Sequence, residues 1–233
     1  MNILAVDTST LVLSVAVLNE QKVLGEKITN LKKNHSVRLM PAIDELLHDL
    51  DLSLAEIDLF AVTAGPGSYT GVRIGVTTVK TFAWAQNKPF LAVSTLAVMA
   101  MNGFYFPGYI VPLIDARREQ VYTSIYEVQS GRLKGKMEEQ IVPVDVLLEE
   151  LKETKKDILF IGDDSSLFEE KIKAELKERA VFALSSLQLP RASNLGILAM
   201  QNWLDSNRSE RNDFAPNYLQ LTLAEKNLLG RQS

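Results

Sequence analysis

The chain contains no cysteine, only two histidines and no apolar run approaching 18 residues. Without cysteine there is no disulfide framework, no thiolate nucleophile and no cysteine-bound zinc, which fits a reducing compartment. Without a long apolar run there is no membrane-spanning helix. Met1-Asn2 leads directly into a strand, with neither the basic n-region nor the cleavage site of a secretory leader, so the expected location is the cytoplasm. Basic surplus is missing too. The net charge is −4, whereas a protein that clamps a phosphate backbone alone usually carries excess lysine and arginine. Nucleic acid, if it is involved, must then be held by something else. His35 and His48 lie thirteen residues apart and project to nearly opposite sides of one helix. They cannot form the i, i+4 pair that holds a metal, and no metal site is expected. What remains is ordinary globular protein, 233 residues long and 46% apolar, enough for one large domain or two lobes.

The most informative stretch runs from Val62 to Trp84, VTAGPGSYTGVRIGVTTVKTFAW. An apolar run stops at Ala64-Gly65-Pro66-Gly67, and a weakly polar segment follows, with Ser68 or Thr70 as helix N-cap. Gly67, Gly71 and Gly75 recur every four residues. Each glycine inside a helix costs about 1 kcal/mol relative to alanine, so this backbone must pass close to something. Val72, Val76, Val79 and Ala83 form one apolar face, while Ile74, Phe82 and Ala85 lie off it. A helix apolar on more than one side is buried on more than one side. Either it lies deep in its own core, or it lies half in the core and half against a partner.

Before this stretch, Ile3 to Val6 reads as a strand, Asp7-Thr8-Ser9-Thr10 as a polar turn, and Val12 to Leu18 as a second strand. Lys22 to Ile28 offers a third. The aspartate-bearing tip is either a nucleotide-phosphate loop with magnesium or a turn closed by an Asx bond. His35 to Leu50 is an amphipathic helix with Leu39, Met40, Ile43 and Leu47 on one face. Pro41 inside it should bend the helix or delay its start. Beyond it, Pro89 to Val93 is a strand and Ser94 caps a helix through Met101. The cluster Phe104 to Gly108 marks a lobe boundary, giving lobes at 1–104 and 105–233. The second lobe opens as the first does, with strand Ile110 to Ile114, turn Asp115-Ala116-Arg117-Arg118 and one alternating strand Val121 to Tyr126. That repetition is the trace of a duplicated fold. An exposed hairpin (Leu133 to Val142), a helix (Val144 to Glu153), a strand ending at Gly162-Asp163-Asp164 and a helix (Ser166 to Lys177) follow. The last helix, Asn194 to Asp205, and an extended tail at 215–219 could pack back on the first lobe, with 221–231 loose or ordered by a partner.

ILAVDTST at 3–10, HSVRLMP at 35–41, GPGSYTGVRIG at 65–75, IDARREQVY at 114–122 and APNYL at 215–219 stand in this order along the chain. In combination they resemble the TsaB (YeaZ) family, whose members are dimerisation subunits in bacterial tRNA threonylcarbamoyladenosine synthesis. The resemblance implies an α/β actin-like ATPase (ASKHA, ribonuclease H-like) fold, with two duplicated lobes of mixed sheet flanked by helices. It implies a subunit without catalytic residues of its own. Such a subunit pairs with the catalytic paralogue TsaD, works with the ATPase TsaE, forms homodimers when alone and meets tRNA only through the complex. The pairing surface it implies comprises His35, Leu39, Met40, Ile43, Leu47, Ser68, Tyr69, Gly71, Val72, Gly75, Val76 and Val79. A degenerate nucleotide site, weak or shared for ATP or ADP with magnesium, would involve Asp7, Thr8, Ser9, Asp115, Arg117 and Gly162. An active actin-like ATPase or kinase using Asp7 and Asp115 is the competing reading. A peptidase would have only His35 and His48 as bases.

Overall fold

The computed structural model describes residues 1–211 and 213–216; the expected placement of Tyr218, Leu219 and everything after them falls outside these. Five strands form a first sheet in the order β3-β2-β1-β4-β5, with β1 Ile3–Asp7, β2 Val12–Leu18, β3 Val23–Asn30, β4 Leu59–Thr63 and β5 Phe90–Val93. The second sheet runs β10-β7-β6-β11-β12, built from β6 Tyr109–Asp115, β7 Gln120–Thr123, β10 Gln140–Pro143, β11 Ile158–Ile161 and β12 Ala180–Phe182. A ribbon of β8 Tyr126–Gln129 and β9 Arg132–Gly135 hangs from β6. In each sheet the opening strand pairs antiparallel with its successor and parallel with the strand after the next helix. The two sheets are therefore copies of one plan, with Asp7 and Asp115 at equivalent strand ends.

Among the described residues six α-helices complete the layers: α1 His35–Asp49, α2 Tyr69–Gln86, α3 Thr95–Ala100, α4 Val144–Lys152, α5 Glu169–Leu176 and α6 Ala192–Ser206. On one face of the first sheet, Leu39, Ile43 and Leu46 of α1 and Val72, Val76 and Val79 of α2 cover Leu4, Val6 and Phe60. On its other face, Leu195 and Ala199 of α6 cover Ile3, Ala5 and Leu18. The second sheet is enclosed likewise, by α4 and α5 on one side and by Leu96 and Met99 of α3 on the other. Each fully buried leucine, isoleucine or phenylalanine contributes about 1.5–3 kcal/mol. The strands buried on both faces are for this reason apolar throughout except at Ser14 and the terminal Asp7.

The start of α6 is pinned by polar groups of the first sheet. Ala192 N–H donates to the buried Ser14 hydroxyl at 2.8 Å. Glu26 on β3 accepts from the Ser193 N–H at 2.9 Å and its hydroxyl at 2.8 Å, and from the Arg191 guanidinium. α1 begins at His35 as its periodicity predicts, so Pro41 does not delay its start. Other boundaries differ from expectation. The alternating run 121–126 is two strands, broken where the Ser124 hydroxyl and Ile125 carbonyl turn to bond the backbone of Met137 and Lys136. Residues 133–142 are no self-paired hairpin, since β9 pairs with β8 and β10 with β7. β12, three residues with one exposed side chain, is too short to show a pattern in the sequence.

Candidate functional site

The loop after β4 leads into α2, whose N-cap Ser68 accepts through its hydroxyl from Gly71 N–H at 3.2 Å. Ser68 N–H in turn donates to the Ser9 carbonyl at 2.7 Å. This places the helix start directly on the β1–β2 tip. A Cβ on Gly67 would stand 2.2 Å from the Ser9 carbonyl oxygen, and one on Gly71 2.1 Å from that of Thr8. At Gly75 it would meet the Thr8 hydroxyl at 2.6 Å. The glycines thus serve close packing against the chain's own hairpin, not against a second polypeptide.

Beneath that seal lies Asp7, with no exposed surface. Its Oδ1 accepts from Ser9 N–H (2.9 Å), the Ser9 hydroxyl (2.6 Å) and the Thr63 hydroxyl (3.1 Å), while Oδ2 has no partner. Burial raises the pKa of this carboxyl, opposed by donation from Ser9 and Thr63 and by the nearby His35. Thr8 is buried as well. A phosphate reaching this carboxylate would have to displace Ser9, which donates to it twice and is itself packed under Gly67.

The equivalent tip of the second lobe is open. Asp115 is partly exposed; its Oδ1 accepts from Arg117 N–H at 2.8 Å, and its own N–H donates to Asp164 at 2.9 Å. Between the lobes lies a cleft of about 930 Å³, lined among others by Ser9, His35, Asp115 and Arg117. Gly162 is not among its lining residues. It sits behind β6, where a Cβ would come within 2.3 Å of the Leu113 carbonyl oxygen. Of the six expected nucleotide-site residues, three reach the cleft and Asp7, Thr8 and Gly162 do not. No cluster of three metal-binding side chains occurs among the described residues.

The expected pairing surface needs a similar correction. Leu39, Ile43, Leu47, Gly71, Val72, Gly75, Val76 and Val79 are buried within this chain. Their spacing shows an apolar face but cannot show what covers it, and the first sheet does. His35 is half-buried, its Nε2 donating to the Thr10 carbonyl at 2.8 Å. Met40, Ser68 and Tyr69 remain exposed. They are joined by residues that pattern reading misses, Val37 at 68% exposure and Trp84 at 78%. Tyr69, Arg73, Thr77, Thr81 and Trp84 make a stripe at helical spacing along the outer side of α2. That stripe is present in the sequence but gives little signal, because it is largely polar. With Phe214 and Pro216 it lines a groove of about 610 Å³. The Arg73 guanidinium lies 5.2 Å from the Tyr69 ring centroid, and the Lys80 ammonium donates to the Phe214 carbonyl at 3.0 Å.

Two sheets of identical strand order, each with an aspartate ending its first strand, define a duplicated actin-like ATPase fold. A ROK hexokinase from Thermus thermophilus shares that fold alone, with a TM-score of 0.53 and 8% identity over 87% of this chain and all of the other. Residues 22–228 match the family model described as TsaD, tRNA N6-adenosine threonylcarbamoyltransferase. The chain is 43% identical to the tRNA threonylcarbamoyladenosine biosynthesis protein TsaB of Bacillus subtilis, over 97% of its own length and 96% of the relative's. The structure of YeaZ from Pseudomonas aeruginosa superposes with a TM-score of 0.78 at 31% identity, covering 94% of this chain and 99% of the other. The chain belongs to the TsaB (YeaZ) family of tRNA threonylcarbamoyladenosine biosynthesis proteins.

Proposed function

We propose that this chain is a non-catalytic subunit that docks the catalytic paralogue TsaD. With the ATPase TsaE it enables threonylcarbamoyl transfer to the adenosine beside the tRNA anticodon. Alone it forms a homodimer through the same surface, and it works in the cytoplasm without a cofactor of its own. The observation that carries this reading is the pairing of a sealed aspartate with an open helix face. Asp7, the group an actin-like ATPase would turn toward magnesium, is fully buried under Ser9 and Thr63, with the glycine loop packed on Ser9 and Thr8. Val37, Met40, Tyr69 and Trp84 meanwhile stand exposed on α1 and α2. An interface of standard size, roughly 1,600 Å² in total, has room to cover both helices, with Tyr69 and Trp84 the side-chain types most often found as anchors.

The test is co-elution with TsaD and a modification assay on unmodified tRNA. A Met40→Glu/Trp84→Glu double variant alters only exposed positions, so its circular dichroism should match the parent while assembly and modification fall at least tenfold. Unimpaired assembly by that variant would sink the docking surface. Magnesium-dependent ATP turnover by the isolated chain, abolished by Asp7→Asn, would sink the non-catalytic reading and favour the ATPase.

A further inference from the structure

We propose that the mouth of the interlobe cleft binds the phosphodiester backbone of RNA. The proposal rests on the family's place in tRNA modification. It goes further in giving this acidic chain a direct contact with the nucleic acid.

Many surface cations of the chain are matched to a carboxylate. Lys27 pairs with Glu45, Lys88 with Asp58, Arg132 with Asp205 and Lys171 with Asp145. Others, such as Lys22, Lys155 and Lys177, are exposed and form no ion pair among the described residues, but the cleft mouth brings several such cations to one opening. Lys32 and Lys33, on the β3–α1 connection, are exposed, line the cleft, and form no ion pair among the described residues. Across the cleft, Arg118 follows the lining residue Arg117 and is exposed and equally unmatched. Arg117, with its side chain 88% exposed, makes only a 3.5 Å contact to Asp115. The cleft is also lined by two acids, Asp115 accepting from Arg117 N–H and Asp164 from Asp115 N–H. Lys32 and Lys33 from one lobe and Arg117 from the other therefore line one opening, outnumbering its two acids.

The backbone that presents the arginines is itself unusual. Arg117, Arg118 and Glu119 adopt φ values of 70°, 53° and 56°, a left-handed conformation that costs about 1–2 kcal/mol per non-glycine residue. A tip that only had to turn would carry Asn-Gly; three strained residues in succession mark a loop shaped for contact. Leu11 and Leu167, 56% and 65% exposed, add apolar surface on the two lobes beside the cations, which suits an unstacked base next to its phosphate. The seal over Asp7 closes the deeper place where a free nucleotide's phosphate tail would enter, so the cations are aimed at a strand lying across the rim. An overall charge of −4 does not oppose this, since attraction beyond about 10 Å is screened at 0.1 M salt and the local cluster governs.

The experiment is fluorescence anisotropy with an unmodified tRNA transcript, using the full chain alone and with TsaD, from 50 to 200 mM salt. Lys32→Glu/Lys33→Glu and Arg117→Glu/Arg118→Glu are compared with a control of equal charge change, Lys22→Glu/Lys155→Glu. Each cleft pair should weaken binding roughly tenfold or more at low salt, and flatten the log–log salt dependence by about 0.7 for every phosphate no longer neutralised; the control should do neither. Thermal melts check folding, and Gln variants at the same four positions replace any Glu variant that fails to fold. Cleft variants that bind like the control overturn the proposal. So does displacement of the RNA by ATP with the same four residues required, which reassigns the cleft to free nucleotide. Assembly with TsaD is scored in parallel, since lost assembly with intact RNA binding bears on the docking surface alone.

Discussion

The two hairpin tips occupy equivalent places in equivalent sheets, yet one is closed and the other open. Asp7 ends β1 with no exposed surface, and the neighbouring Thr8 and Ser9 carry an 18-residue helix seated on them through Gly71 and Gly75 and the preceding Gly67. Asp115 ends β6 partly exposed, and the corresponding helix, α5, has eight residues and is preceded by a 3-10 turn at Asp163–Phe168. A duplicated scaffold is thus put to two uses. In the first lobe the space near the strand end is filled by backbone, which fixes α2 and presents its outer side. In the second lobe the strand end faces an interlobe cleft and carries charge.

Substitutions can break this contrast, and the largest effect is expected at the seal. Gly71→Ala places a methyl group 2.1 Å from the Thr8 carbonyl, a clash no side-chain rotation relieves. Urea unfolding should show a loss of about 3 kcal/mol; an unchanged midpoint would return the glycine to an interface role. Next comes the link between β3 and α6. Glu26→Ala leaves the Ser193 N–H and hydroxyl without their acceptor and frees Arg191, for an expected destabilisation of about 2–3 kcal/mol. Smaller, but diagnostic, is the pH response of Asp7. Burial raises its folded pKa above the ordinary 3.8, so the folded state holds this proton more tightly than the unfolded state. The stabilisation is full below 3.8 and is lost as pH rises through the folded value. Asp7→Asn removes the titration, and its stability should fall less than the parent's between acid and neutral pH; parallel curves would mean the carboxyl is not sealed. Least affected is Trp84→Ala. With that side chain 78% exposed, unfolding should change by less than about 0.5 kcal/mol, whereas Val79→Ala, fully buried, should lose a substantial part of the roughly 1.5–3 kcal/mol of a buried side chain.

Much of this architecture can be read from residue order. Continuous apolar runs locate β1, β4, β6 and β11, and the spacing of Asp7 and Asp115 within matching strand–turn–strand segments discloses the duplication. The site is less legible. Val72, Val76 and Val79 are apolar at helical spacing whether a sheet or a partner covers them, so nothing in the pattern tells that eight residues of the implied pairing surface are buried. The positions left open, Tyr69, Arg73, Thr77 and Trp84, mix aromatic, charged and hydroxyl side chains and give little periodic signal. The fate of Asp7 depends on Gly67 and Gly71 meeting Ser9 and Thr8, some sixty residues apart in the chain, and no local rule reaches that far. The break between β7 and β8 arises similarly, from Met137 and Lys136 reaching back across the sheet.

The position of α6 bears on how the molecule comes into being. The helix that shields Ile3, Ala5 and Leu18 is made of residues 192–206, so during synthesis β1 and β2 wait bare on one side until this distant segment has been translated. Cutting the chain between the lobes, near residue 104, would yield not a half-protein but an open sheet prone to stick to its own kind.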